Sequence, residues 1–145
     1  MDYLCRMRNI GRYSKWVTLI AATVLVASCF MPWAYYPDLG RSFTGWKTEQ
    51  NVYGMPGKWF SFMALFSVLA QFIPSLFLKR ANLLFMALNL AYAVFTFVKY
   101  NRSYGIITPT IQYGSWIMVL ASLVLMFAAL FPSGTLKPAT GEQKI

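Results

Sequence analysis

The residues that could do chemistry are few. The carboxylates are Asp2, Asp38, Glu49 and Glu142, and the thiols are Cys5 and Cys29. There is no histidine, which removes the usual general base and the commonest metal ligand. Asp38 and Glu49 share one connecting segment, and such a pair could do acid–base work. Beside Arg41 and Lys47 they read better as solvated loop charges. Cys29 lies about twelve residues into an apolar run, a rise of roughly 20 Å at about 1.5 Å per residue. Cys5 precedes that run. A disulfide needs Cα atoms within about 7 Å, so the two thiols cannot join within one chain. That argues against a thiol oxidoreductase built on a cysteine pair. Cys5 could carry a lipid in a eukaryotic setting, although a plain free thiol is the simpler reading. No cluster of Cys and carboxylates has metal-ligand spacing. No glycine-rich loop has phosphate-binding spacing. The expectation is no enzyme, no cofactor and no metal.

The elements that hold these residues are apolar. The 145-residue chain is 58% hydrophobic and 18% aromatic, with 12% charged residues. Soluble domains average about 25% charged residues. Four runs lack charge: residues 17–36, 59–78, 81–98 and 114–132. Each matches the ~17–25 residues of a membrane-spanning helix. Lys15-Trp16, Lys58-Trp59, Lys79-Arg80 and Lys99-Tyr100 flank them as interface anchors. The expected fold is all-α and transmembrane, a four-helix bundle forming one membrane domain over residues 1–132. Residues 133–145 read as a disordered cytoplasmic tail.

The net charge of +9 reflects membrane topology and anionic headgroups rather than nucleic acid. Arg6, Arg8, Arg12, Lys15, Lys79, Arg80, Lys137 and Lys144 fall on one side, against Arg41, Lys47, Lys58, Lys99 and Arg102 on the other. This bias puts both termini in the cytoplasm, in a plasma or bacterial inner membrane. Lys79-Arg80 is then the tight connection between antiparallel second and third spans. Pro74 should bend the second span.

Residues 37–58 and 99–113 form the outer loops. Aromatic and β-branched residues there alternate with Gly and Pro, which predicts a small antiparallel sheet built from both loops. Pro109 should lie at an edge or in a turn, and Pro56-Gly57 should lead into the second helix. Phe43, Trp46, Tyr53, Tyr104 and Tyr113 are the expected partner-binding residues. Four spans, a longer first outer loop and Trp33 followed by Gly45-Trp46 resemble the claudin-type arrangement. That family carries a Trp, then Gly-Leu-Trp, then two cysteines in this loop. Here Thr44-Gly45-Trp46 stands for the tripeptide and the loop cysteines are absent. The resemblance implies an outer sheet that contacts partner proteins.

Inside the bundle, Asn82, Asn89 and Thr96 recur every seven residues and so share one stripe. An amide facing lipid is costly, so the stripe should face other helices, with Gln71 and Ser75 as candidate partners. Ala87 with Ala91, and Ala121 with Ser122, should allow close approach. A second reading concerns Val26-Ala27-Ser28-Cys29, which resembles a bacterial lipobox. Cleavage before Cys29 would leave three spans, but Phe30-Met31-Pro32-Trp33 continues the apolar run. The expected role is a non-catalytic membrane scaffold or accessory subunit, with membrane lipids and other membrane proteins or further copies as partners. The alternatives are a small transporter or channel for a neutral or lipidic solute, and a membrane enzyme using Asp38 or Glu49.

Overall fold

The computed structural model describes residues 2–47, 54–102 and 108–131, with side chains from Tyr13 onward. Tyr53, Tyr104, Glu49 and the tail 133–145 lie outside the described residues. Four helices and a three-stranded antiparallel sheet make up the described chain. Helix α1 covers Asp2–Ser28, α2 Pro56–Phe72, α3 Leu76–Tyr100 and α4 Tyr113–Leu130. Strands β1 (Pro32–Tyr36), β2 (Arg41–Thr44) and β3 (Thr110–Ile111) pair in the order β2-β1-β3.

Three boundaries depart from the sequence reading. The uncharged run 17–36 is not one helix. α1 closes with tight backbone bonds from Cys29, Phe30 and Met31 to the carbonyls three residues back, at 3.1–3.2 Å. Pro32 cannot continue the helix, and it opens a strand, where its missing N–H is tolerated. The central strand thus comes from the expected span, while β2 and β3 come from the two expected loops. The second difference is at Pro74, which ends a helix instead of bending it. Ile73, just before the proline, is extended (φ −86°, ψ 122°), as the proline ring requires. The chain reverses over residues 73–75, and Lys79 and Arg80 lie within α3 instead of forming the connection. The third is that α1 begins at Asp2, well before the apolar run. Pro56 starts α2 and Pro109 precedes the edge strand β3, both as expected.

The helices form a ring in which α1 packs on α2 and α4, and α3 packs on the same two. Each turns one stripe inward. On α3 the buried positions are Asn82, Met86, Asn89, Ala93, Thr96 and Tyr100, spaced alternately four and three. On α4 they include Gly114, Ser115, Met118, Ser122 and Leu125. Ala121 and Ser122 are buried, but Ala87 and Ala91 face outward. Helices α3 and α4 are long and apolar enough to cross a membrane.

The register sets Tyr35 opposite Thr110, and both are exposed. Directly opposed residues share a sheet face with Cβ atoms about 4.5–5.5 Å apart. In a chain carrying Cys5→Ser and Cys29→Ser, the double variant Tyr35→Cys/Thr110→Cys should therefore oxidise to an internal disulfide, seen as a mobility shift on a non-reducing gel. Pairing of Ala34→Cys with Thr110→Cys instead would mean the register is wrong.

Candidate functional site

The end of the bundle beneath the sheet is built around Trp33. The β1 register slips between Pro32 and Ala34, so Trp33 and Ala34 both turn inward in breach of strand alternation. Trp33 has no exposed surface. Its indole N–H donates to the Ser28 carbonyl at 2.7 Å. Its ring meets Phe60 and Tyr100 edge-on, with centroids 6.0 and 5.5 Å apart. Its carbonyl accepts from Ser115 Oγ at 2.6 Å and from the Gln112 N–H at 3.0 Å. One residue therefore ties α1, β1, α2, α3 and α4 together.

Two glycines leave room for that ring. A Cβ on Gly45 would come within 2.8 Å of the indole, and one on Gly114 within 2.5 Å of the Pro32 carbonyl and 2.9 Å of the indole. No real side chain tolerates such distances. The Gly45 N–H donates to the Cys29 carbonyl at 3.0 Å, and the Gly57 N–H donates to the Gly45 carbonyl at 2.9 Å. The chain just after β2 is thereby fastened to the end of α1 and the start of α2. Trp33, Gly45 and Trp46 lie together at this place.

The expected partner-binding residues separate by burial. Phe43 is buried and packs edge-on against Tyr36 at 5.0 Å, so it belongs to the core and offers no outward contact. Trp46 is half-buried and stacks on Phe30 at 5.7 Å. Tyr113 is 58% exposed. Tyr35, Leu39 and Ile111 are also exposed on the cap, and sequence reasoning did not single them out. The signal for Tyr35 was its place in Ala34-Tyr35-Tyr36, where strand alternation sends the middle residue outward. Tyr35, Ser42 and Thr110 share the outer face of the sheet.

A polar seam runs through the bundle below the cap. Gln71, Asn82, Asn89 and Thr96 are all buried, with at most 4% of their surface exposed. The Asn89 amide donates to Ser122 Oγ on α4 at 3.3 Å. Gln71 reaches α1 and α4. Its Nε2 lies 3.3 Å from Thr18 Oγ1, 3.3 Å from the Ala128 carbonyl and 3.5 Å from Ser14 Oγ. Ser75, the other expected partner, sits half-buried at the start of α3. Ser14 also donates to the Ala128 carbonyl, at 3.2 Å. That carbonyl needs them, because it lies in the last turn of α4, which ends at Leu130. The side-chain carbonyl oxygens of Asn82 and Asn89 are buried without a hydrogen-bond partner.

Asp38 is exposed on a 3-10 turn over Pro37–Leu39. Cys29 is fully buried, with its thiol 3.3 Å from the Leu25 carbonyl. Among the described residues, no three His, Cys, Asp or Glu gather as metal ligands. Comparison with known proteins gives no match: no family model, curated protein or solved structure is similar to this chain.

The packing around the indole makes a sharp prediction. Gly45→Ala should cost about 1–3 kcal/mol through overpacking, and Trp33→Ala about 3–5 kcal/mol through the cavity it leaves. Both should lower the thermal midpoint of the detergent-solubilised chain. Ser42→Ala on the outer sheet face should leave the midpoint unchanged. A Gly45→Ala protein as stable as the parent would contradict the contact.

Proposed function

We propose that the chain is a non-catalytic scaffold or accessory subunit of a membrane, crossing it four times with both termini in the cytoplasm. In this reading the exposed face of the outer cap binds a partner protein. The observation that carries the membrane part is the reversal of ordinary polarity. Asn, Gln, Ser and Thr side chains are buried, while Phe77, Leu84, Leu88, Phe95, Leu120 and Phe127 are each at least half exposed. Water would penalise that surface, and lipid does not.

The step from two spans to four rests on length and packing. α1 and α2 both meet α4 near its end, through Ser14 and Gln71 at Ala128. At its start α4 meets β1, where Trp33 accepts from Ser115 and packs on Phe60 of α2. α1 packs along α4, and α2 packs on both α1 and α3, so both lie where a helix would cross the bilayer beside α3 and α4. α2 has 17 residues, and the apolar part of α1 is Tyr13–Ser28. α2 sits at the short end of the workable range of about 17–25 residues, and the apolar part of α1 falls one residue below it. The partner-binding part is motivated by Tyr35, Leu39, Ile111 and Tyr113, apolar or aromatic groups left exposed on an otherwise tightly packed cap.

Both parts can be tested. In a chain without native cysteines, Gln50→Cys should react with an impermeant maleimide from outside intact cells, and Arg80→Cys only after permeabilisation. Labelling of both from one side would end the four-span reading. Tyr35→Ala/Tyr113→Ala should lose a co-purifying protein while keeping normal abundance, whereas Phe43→Ala should reduce abundance itself. Parent protein that leaves native membranes with no stoichiometric companion would count against the scaffold role.

One observation favours a second reading, a conduit for a small neutral solute. The unpartnered carbonyl oxygens of Asn82 and Asn89 lie in the bundle interior, where an unmet acceptor is costly. Under that reading, reconstituted protein shows solute flux that Asn89→Leu abolishes. Flux equal to that of protein-free vesicles would rule the conduit out.

A further inference from the structure

The end of the bundle opposite the sheet has its own chemistry. Ser14 and Gln71 bond there to Ala128, close to where α2 and α4 stop. α1 runs on past this level, back to Asp2, as continuous helix. Its positions 6, 8 and 12 are arginine. Lys15 follows, with its ammonium 5.6 Å from the centre of the Phe72 ring at the end of α2. Just beyond the reversal at residues 73–75, α3 carries Lys79 and Arg80 within its first five residues. Asp2, at the tip of α1, is the one carboxylate of these segments.

Basic residues at the start of a helix oppose the usual rule. A helix N-terminus is positive and normally draws a carboxylate or a capping hydroxyl. Here the Ser75 side chain makes no cap bond and the first turn holds no acid. Lys79, Arg80 and Lys15 add positive charge to that end. Around them stand exposed aromatic rings: Tyr13 at 70%, Trp16 at 62%, Phe72 at 59% and Phe77 at 80%. A soluble anion would have no use for such a collar. An amphiphile with a charged head and an apolar body uses both.

We propose that this end binds the headgroups of anionic phospholipids, with lipid phosphate held by Lys79, Arg80 and Lys15 and the chains lying along the aromatic collar. The inference rests on the membrane reading above and adds a ligand at the end remote from the cap. Charge complementarity selects anionic over zwitterionic lipid, because a basic group near an anionic surface contributes about a fivefold preference. The attraction is screened by salt.

The intact chain is reconstituted in phosphatidylcholine vesicles with and without phosphatidylglycerol. Lipids retained after mild detergent extraction are then counted. Phosphatidylglycerol should be enriched several-fold around the parent. Lys79→Gln/Arg80→Gln should lose most of that enrichment, and Arg41→Gln/Lys47→Gln, near the cap, should keep it. If the double variant does not fold, Arg80→Gln alone, at an exposed position, carries the test and should weaken enrichment. Equal retention by parent and variant overturns the proposal, as does loss of the parent's phosphatidylglycerol enrichment when inorganic phosphate is added at an ionic strength matched with sodium chloride, which would mark a site for free phosphate. A chain that inserts in both vesicles but retains no phosphatidylglycerol overturns this inference alone. One that inserts in neither overturns the membrane reading as well.

Discussion

The cap end of this protein depends on a single steric fit. The indole of Trp33 lies where the end of α1, the first outer segment and the start of α4 converge, and it fits because Gly45 and Gly114 present bare backbone to it. The consequences spread outward from that fit. Its inward turn requires the slip in the β1 register. The slip leaves Tyr35 facing out and Tyr36 facing in, where the Tyr36 hydroxyl donates to the Tyr100 carbonyl at 3.2 Å. Because the Trp33 carbonyl accepts two bonds from the start of α4, the sheet and the bundle are not separate layers. They share the residue that closes both, so a disturbance of the sheet is also a disturbance of the helix ends.

The opposite end is held by hydrogen bonds and not by shape. The Ala128 carbonyl lies in the last turn of α4, where helical donors run out, and Gln71 and Ser14 reach across from two other helices to supply one. Under the proposed membrane reading no water could stand in for them. The seam between the two ends follows the same logic, since Asn89 finds Ser122 on the facing helix. Interhelical bonds of this kind contribute about 0.6–2 kcal/mol each. They also align the helices in a way that apolar packing alone does not.

Much of this was legible in the residues. Four uncharged runs mark four helices, and α4 lies within two residues of its expected limits. The Asn82, Asn89, Thr96 spacing identified the buried face of α3. Gly and Pro punctuation located strands in both outer segments. What was not legible has physical reasons. An uncharged run does not distinguish helix from strand, so residues 32–36 were hidden inside an apparent span, although Pro32 marked the change. A charge pair is not a turn signal, and Lys79-Arg80 continue a helix readily, whereas Pro74 stops one. Phe43 and Tyr113 look alike as loop aromatics. Only the register, which sets Phe43 opposite the buried Ala34, separates core from surface.

The two ends therefore tolerate different changes. Around Trp33 the limit is volume: a single added methyl collides, while polarity is already satisfied by backbone. In the seam the limit is polarity, because removing one amide leaves acceptors unmet that packing cannot compensate. Neither limit reaches the outer face of the sheet, where Tyr35, Ser42 and Thr110 are exposed and the one side-chain bond among them runs from Thr110 Oγ1 to the Tyr35 carbonyl at 3.2 Å. A surface released from structural duty, on a frame held rigid under it, is where sequence can change to suit a partner without cost to the fold. Under the proposed scaffold role, recognition therefore falls to Tyr35 and its neighbours and not to the larger, better buried Phe43 and Trp33.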